Sequence, residues 1–324
     1  MITVPFCAQA QGDCVFSVPF LSFFPVRLPA ETGKKEETYM KLKRLGALLL
    51  SASLMLAALT ACGSKPAAND TAEDTKGADA AATDTAADDE ENYETGDASL
   101  DNPLNQDEIG ENELLVVSFG TSYNDSRRET IGAIEAAMQK AFPDYSVRRG
   151  FTSQIIIDHV NKRDGEKIDN VTEALDRAVA NGVKNLVVQP THLMNGLEYT
   201  DLKNELAGYS DSFEKIALGE PLLTSDDDFQ KVMNAIVDAT KEYDDGETAI
   251  CFMGHGTEAD SNSIYTKMQE TLKAAGHDNY FVGTVEATPS LDDVIAAVKA
   301  SGYKKVVLRP LMIVAGDHAN NDMA

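Results

Sequence analysis

The sequence predicts an α/β fold of two similar lobes, each with a mostly parallel sheet flanked by helices, and with a cleft between the lobes. From Leu114 onward, short apolar runs alternate with amphipathic stretches of helical period, which is the pattern of βαβ units. The two halves of this region also resemble each other in sequence. In open parallel sheets, ligands bind beyond the carboxyl ends of the strands, so we expect the functional residues at those ends.

Seven strands and five helices are predicted from these patterns. The predicted strands cover residues 114–119, 146–151, 185–189, 215–218, 249–253, 280–285 and 305–312. The predicted helices cover residues 127–141, 171–180, 227–243, 263–275 and 291–300, and several begin at an Asp, Ser or Thr cap. Helices of this length between strands connect parallel neighbours, so both faces of each sheet are expected to be covered.

An internal repeat relates residues 174–190 to residues 294–310. With a shift of 120 residues, Gly182 meets Gly302, and the prolines that end the two segments also meet. A helix, a glycine, an apolar strand and a proline therefore recur in the same order. The repeat favours two lobes, which we place at residues 114–223 and 224–324.

The region before the lobes is predicted to contain export signals. Residues 40–62 combine a basic head, an apolar run of about 15 residues and small residues before Cys62, which is typical of a secretory signal peptide. The ending Leu-Thr-Ala-Cys resembles the bacterial lipobox, so Cys62 is predicted to carry lipid and to anchor an exported protein at the outer face of the cell membrane. Residues 1–39 precede this signal without any helical or alternating period, and we interpret them as non-native upstream translation.

Acidity is concentrated in residues 63–113. The chain has a formal net charge of −25, and this segment alone carries 16 acidic and two basic side chains with few large apolar groups. Such a segment cannot bury enough apolar surface to offset its ordering entropy, so a disordered spacer between lipid and lobes is predicted. The acidic balance also argues against nucleic acid as a partner.

Three potential metal ligands follow three different predicted strands of the second lobe. His255 lies between two glycines after strand 249–253, Glu286 ends the next strand, and His318 follows the last one. Two imidazoles and a carboxylate suit a divalent transition metal, and three ligands leave positions open for a substrate. The sequence therefore predicts an open-sided metal site at this edge.

The first lobe contains two further potential ligands, which would face the second lobe across the cleft. His192 follows strand 185–189, and Glu198 occupies the repeat position of His318. Both are candidates for binding metal, but His and Glu at strand ends also serve as caps and as hydrogen-bond partners in loops. Their spacing leaves both roles open.

Seven motifs resemble the anaerobic cobalt chelatase family, the CbiK-type sirohydrochlorin cobaltochelatases of the cobalamin pathway. They are VVSFGTSY at 116–123, FTS at 151–153, QPTH at 189–192, GEPLL at 219–223, MGHG at 253–256, GTVE at 283–286 and PLMIVAGDHANNDMA at 310–324. The similarity covers essentially all of residues 114–324 in the family's order, and the last motif is highly specific.

The resemblance implies a class II chelatase-like fold that inserts Co²⁺, or less expectedly Fe²⁺ or Ni²⁺, into a sirohydrochlorin-type tetrapyrrole. It implies that His255, Glu286 and His318 bind the metal and that His255 also acts as proton acceptor. The expected substrate-binding residues are Ser118, Thr121, His192 and Glu198. No organic cofactor is expected, and homo-oligomer formation stays open. The family pattern also continues for several tens of residues, so the second lobe is expected to be incomplete at Ala324.

Two other functions explain part of the sequence. One is an exported lipoprotein that binds a metal, haem or a corrinoid without catalysis. The other is a two-lobed solute-binding lipoprotein, which explains the anchor and the lobes but not the His-Glu-His set.

A polycarboxylate substrate on an acidic domain would need local cations. The candidates are Arg127, Arg128, Arg148, Arg149, Lys162, Arg163 and Arg309.

Overall fold

The computed structural model describes residues 95–107 and 109–323. Residues 1–39, the signal peptide with Cys62 and the first part of the acidic spacer lie outside the described residues. Within the described ranges, no helix is long and apolar enough to cross a membrane.

The first lobe is built on a four-stranded parallel sheet. Its strands are β1 (Asn112–Ser118), β2 (Ser146–Phe151), β3 (Asn185–Pro190) and β4 (Lys215–Leu218), in the spatial order β2-β1-β3-β4. Its helices are α1 (Ala133–Ala141), α2 (Gln154–Asp164), α3 (Val171–Ala180) and α4 (Leu197–Ala207). A helical turn at Asn124–Arg127 and a π-helical turn at Arg128–Gly132 lead directly into α1.

The second lobe is built on a three-stranded parallel sheet. Its strands are β5 (Thr248–Gly254), β6 (Tyr280–Thr284) and β7 (Lys305–Pro310), in the order β6-β5-β7. Its helices are α5 (Asp226–Thr240), α6 (Ser263–Ala274) and α7 (Leu291–Ser301). The predicted α/β class with parallel sheets is therefore confirmed, and the seven strands and five helices agree with the prediction to within a few residues. Helices α2 and α4 are additional.

The internal repeat recurs as geometry. Gly182 after α3 and Gly302 after α7 both adopt left-handed backbone conformations, with φ of 72° and 80°, which favour glycine. One residue beyond β3, the N–H of Thr191 donates to a β1 carbonyl at 2.8 Å, and Leu311 beyond β7 donates to a β5 carbonyl at 2.7 Å. The same local sequence thus gives the same exit from the sheet in both lobes.

A shared apolar cluster joins the lobes. It includes Leu114 and Val116 of β1, Phe229 of α5, and Ile250 and Phe252 of β5, all of them buried. Each such side chain contributes about 1.5–3 kcal/mol when it is removed from water. The two sheets therefore share one apolar cluster, while each lobe also has an apolar cluster of its own.

The end of the predicted spacer is packed, not disordered. Residues 95–107 and 109–111, which we call the strap, lie against the first lobe. Within the strap, Asp101 is only 3% exposed and accepts hydrogen bonds from Arg127 Nε and Arg149 Nη1, both at 2.6 Å. Leu104 packs against the shared cluster. The spacer prediction was wrong here because composition treats an aspartate as solvated, whereas two buried guanidinium groups bind this one.

Candidate metal site

His255 follows β5 with its tautomer set by the backbone. Its Nδ1 lies 2.9 Å from the carbonyl oxygen of Gly256. A carbonyl only accepts hydrogen bonds, so Nδ1 carries the proton and donates it, which leaves the lone pair of the neutral ring on Nε2. A backbone carbonyl that fixes the ring in this way is the usual support of a metal-binding histidine.

Glu286 is held against the His255 loop by the backbone. Its N–H donates to the carbonyl of His255 at 2.9 Å. Gly256 has φ of 91°, and a Cβ at this position would lie 2.8 Å from the Cβ of Ala287, closer than side-chain carbon atoms approach. Only glycine allows both this conformation and this approach. The two loops are therefore fixed relative to each other.

His318 reaches the site from the loop after β7. It begins a π-helical turn, His318–Asp322. The Nδ2 of Asn320 donates to the carbonyls of Ala315 and Gly316 at 3.0 and 2.8 Å, which closes the loop that carries the histidine.

The three side chains converge as the sequence predicts. One potential ligand atom from each of His255, Glu286 and His318 lies within 4.8 Å of the others. The carboxylate of Glu286 is 3.7 Å from His255 Nδ1 and 3.4 Å from His318 Nε2, and the two imidazole centroids are 4.9 Å apart. All three side chains are partly exposed. The site is therefore open to a large ligand on one side.

This arrangement fits a divalent ion once the side chains rotate, in particular that of His255, whose Nδ1 lies 3.7 Å from the Glu286 carboxylate. An ion about 2.1 Å from each ligand needs ligand atoms within about 4.2 Å of one another, only slightly closer than they stand. The carboxylate would offset part of the charge of the ion, and two neutral imidazoles suit a transition metal. Among the residues that the structure describes, no other group of three or more His, Cys, Asp or Glu side chains could hold a metal.

His192 and Glu198 do not belong to this cluster. The imidazole of His192 is buried without a hydrogen-bond partner on either ring nitrogen in the described part of the chain. Burial lowers the pKa of His192, and the nearby carboxylate of Glu198 opposes that shift only in part. Glu198 itself is exposed in the first turn of α4. The pair therefore combines a neutral, unsatisfied imidazole with an exposed carboxylate.

Ser118 and Thr121 are buried. The hydroxyl of Ser118 is 2.7 Å from that of Thr191, and the hydroxyl of Thr121 accepts a hydrogen bond from the N–H of Tyr123 at 3.3 Å. In this conformation both hydroxyls serve the loops at the end of the first sheet, and their role in substrate binding stays a prediction.

Most of the candidate cations are engaged within the protein. Arg127 and Arg149 are buried in ion pairs, Arg148 donates to backbone carbonyls, and Arg163 pairs with Asp164. A position near a strand end does not distinguish these residues from exposed cations, because burial is a tertiary property. Lys162 is exposed, and Arg128 is one-third exposed beside two acidic neighbours.

One support of the site was not predicted from the sequence. Asn262 accepts a hydrogen bond from the N–H of Thr257 at 3.1 Å and donates one to the carbonyl of Thr288 at 2.6 Å. It thus ties the segment after His255 to the segment after Glu286. Its position just before α6 gave no signal beyond that of an ordinary helix start.

The region that forms the two lobes matches known proteins. The profile described as cobalt chelatase (CbiK) matches residues 112–324. A sirohydrochlorin cobaltochelatase of Salmonella typhimurium is 37% identical over 211 residues, covering 65% of this chain and 79% of the relative. The sirohydrochlorin cobaltochelatase CbiKC of Nitratidesulfovibrio vulgaris is 28% identical over 213 residues, covering 65% and 74%.

Proposed function

The chain belongs to the cobalt chelatase family, and on this premise we propose that it is a sirohydrochlorin cobaltochelatase that inserts Co²⁺ into a sirohydrochlorin-type tetrapyrrole. The observation that carries the proposal is the convergence of His255, Glu286 and His318 on one partly exposed point. The names of the two relatives support the choice of metal and macrocycle. Fe²⁺ and Ni²⁺ are the alternative metals, and no organic cofactor is needed for the reaction.

The chemistry requires that the ion loses water, that two pyrrole N–H protons leave, and that the ion moves from protein to macrocycle nitrogens. Neutral imidazoles bind a transition metal and can release it. Glu286 offsets the charge of the ion while the ion is bound to the protein, before its transfer to the macrocycle. An imidazole is also a suitable base near neutral pH. The site thus supplies ligands and a base without any further group.

His255 would act in two steps. Its Nε2 lone pair can hold the ion or a proton but not both, because Nδ1 is already protonated toward Gly256. Metal transfer therefore precedes proton uptake at this atom, and the vacated lone pair accepts one of the two pyrrole protons. Glu286, which loses its cationic partner at the same moment, would accept the other.

We assign the substrate side of the site to the first lobe, with the residues Ser118, Thr121, His192 and Glu198. The support for His192 is its buried imidazole. A buried polar group without a hydrogen-bond partner destabilises the folded protein, and a bound ligand could supply that partner. The support for Glu198 is its exposure beside that imidazole. The buried hydroxyls of Ser118 and Thr121 would act through the loops that they hold.

We also propose an exported form that is anchored through lipid on Cys62, with residues 63–94 as a spacer. The lipobox-like ending of residues 40–62 supports the anchor. Mass spectrometry of the mature amino terminus tests it, because a diacylated Cys62 is expected as the first residue and any residue before Met40 contradicts it.

Replacement of His255 tests the function. In an absorbance assay of the purified protein with Co²⁺ and sirohydrochlorin, His255→Ala should lower the insertion rate by a factor of about 10² or more, since a ligand and a base are lost together. His277→Ala is the matched control, because His277 contacts Tyr280 and lies outside the cluster. Unchanged turnover in His255→Ala contradicts the assignment. Tight Co²⁺ or tetrapyrrole binding by the unmodified protein without product would favour the non-catalytic binding lipoprotein instead.

A further inference from the structure

The three proposed ligands are not held in the same way. His255 and Glu286 are joined by a backbone hydrogen bond within the second lobe, and Asn262 ties the segments that follow them. His318, in contrast, follows a loop whose polar contacts reach into the first lobe. The metal site therefore consists of a fixed pair and one ligand whose position depends on the other lobe.

Two side chains of the first lobe contact the His318 loop. The hydroxyl of Ser126 donates to the carbonyl of Ala315 at 2.6 Å, and the hydroxyl of Tyr123 donates to Asp317 Oδ1 at 3.4 Å. Ala315 and Asp317 lie three residues and one residue before His318. Next to them, Val314 packs against an apolar cluster of the first lobe. The loop is thus attached to the first lobe immediately before the ligand.

The first-lobe side of this contact is rigidly supported. Ser126 lies in the helical turn that ends at Arg127, whose buried guanidinium donates to the carbonyl of Thr121 at 3.2 Å and to Asn124 at 2.8 Å. The same guanidinium pairs with Asp101 of the strap. The segment between Thr121 and Arg127 is therefore held at several points and can act as a support for the loop of the other lobe.

We propose that Ser126 and Tyr123 are positioning residues for His318, so that the contact between the lobes sets the third ligand of the metal site. This inference rests on the proposed metal-binding role of His255, Glu286 and His318. Its functional consequence concerns release of the ion. A local shift of the His318 loop that breaks these two hydrogen bonds would weaken the support of His318 while His255 and Glu286 keep theirs, which would favour transfer of the ion to the macrocycle.

The first test measures Co²⁺ affinity of the whole chain without any tetrapyrrole. Ser126→Ala should raise the Kd for Co²⁺ about threefold to tenfold, the expected effect of one hydrogen bond that orients a ligand. The visible absorption bands of bound Co²⁺ should change as well, because they report its ligand geometry. Ser146→Ala is the matched control, since the Ser146 hydroxyl also donates to a loop carbonyl, at 2.8 Å, but away from the site.

A second variant keeps the proposal testable if Ser126→Ala does not fold. Tyr123→Phe removes only the hydroxyl and should raise the Kd for Co²⁺ less than Ser126→Ala does, because the Tyr123 hydrogen bond is long. Tyr209→Phe is its control, as the Tyr209 hydroxyl donates to an aspartate at 2.8 Å on the surface.

A double-mutant cycle decides whether the effect passes through His318. In the His318→Ala background, Ser126→Ala should leave the Kd for Co²⁺ unchanged. An equal loss in both backgrounds would overturn the proposal, because it would reveal a general structural effect. Unchanged affinity in both Ser126→Ala and Tyr123→Phe would overturn it while leaving the proposed function intact. If the unmodified chain binds no Co²⁺, the metal site and this inference fail together.

Discussion

Strands β3 and β7 are equivalent in the internal repeat, yet only β3 is enclosed. Leu186 of β3 is 1% exposed, whereas Val306 at the same repeat position in β7 is 57% exposed. β3 pairs with β1 and β4, while β7 pairs only with β5 among the described residues. The helix before β3 also buries more of its residues than the helix before β7. The sequence pattern therefore determines that a strand forms, and the strands and helices packed beside it determine how much of the strand is buried.

The same contrast applies to polar groups. The first lobe buries charged side chains and pairs them internally, whereas the second lobe leaves its proposed metal ligands partly exposed. A scaffold can bury charge if each group finds a partner, but a site that exchanges an ion with a substrate needs access. The two lobes thus differ in how they accommodate charge: the first pairs charged groups in its interior, and the second leaves the proposed ligands accessible.

Removal of the buried charge in β2 should give the largest effect. Arg149→Met leaves the carboxylate of Glu135 without its ion-pair partner and deprives Asp101 of one of two. We expect a loss of about 3–5 kcal/mol in unfolding free energy. Because burial already raises the pKa of Glu135, the loss should shrink as the pH falls and this carboxylate is protonated.

Denaturant unfolding of the purified chain measures this loss. Lys305→Met in β7 is the control, because its ion pair with Asp245 is exposed and should contribute little. Equal destabilisation by both substitutions would remove the contrast between the lobes.

The enclosed and open strands can be compared directly with one pair of variants. Leu186→Ala in β3 should cost about 3 kcal/mol, since it creates a cavity in a packed cluster. Val306→Ala in β7 should cost less than about 0.5 kcal/mol, because its side chain stays in water. Thermal and denaturant unfolding measure both, and a large effect of Val306→Ala would show that something covers β7 in solution.

A smaller effect should appear as a pH dependence caused by a buried carboxyl group of the first lobe. Glu113 of β1 is 2% exposed, and burial raises its pKa to about 7 despite the nearby charge of Arg148. Glu113 pairs with Leu186 of β3, and the residue that pairs with the repeat equivalent Val306 of β7 is the apolar Ala249 of β5. A carboxyl whose pKa is raised on folding favours the folded state below its ordinary pKa of 4.5, and this contribution is lost as the pH rises through 7.

Because of the raised pKa of Glu113, we expect the free energy of unfolding to be about 2 kcal/mol lower at pH 8 than at pH 5. Glu113→Gln should remove that difference, as judged by unfolding at both pH values against the unmodified chain. A Glu113→Gln protein with the same pH dependence as the unmodified one would assign the effect to another group.

Much of the fold and of the proposed metal site was predictable from the sequence. The strands β1 to β7 are short apolar runs with clear ends, and His255, Glu286 and His318 each follow a strand of one sheet. Parallel strands bring such positions to one edge, so their convergence follows from topology. The burial of Asp101 and Arg149 could not be predicted, because the two side chains are 48 residues apart and only the fold brings them together.

The sequence by itself determined the order of the elements, the repeat, the family and the three proposed ligands. These depend on local pattern, on the spacing of apolar residues and on residues in recognisable motifs. Only the tertiary structure decided which charges are buried, that the strap packs on the first lobe, and that the His318 loop is held by Ser126 and Tyr123. Such contacts join residues that are far apart in the chain, and their energy depends on burial and on partner geometry.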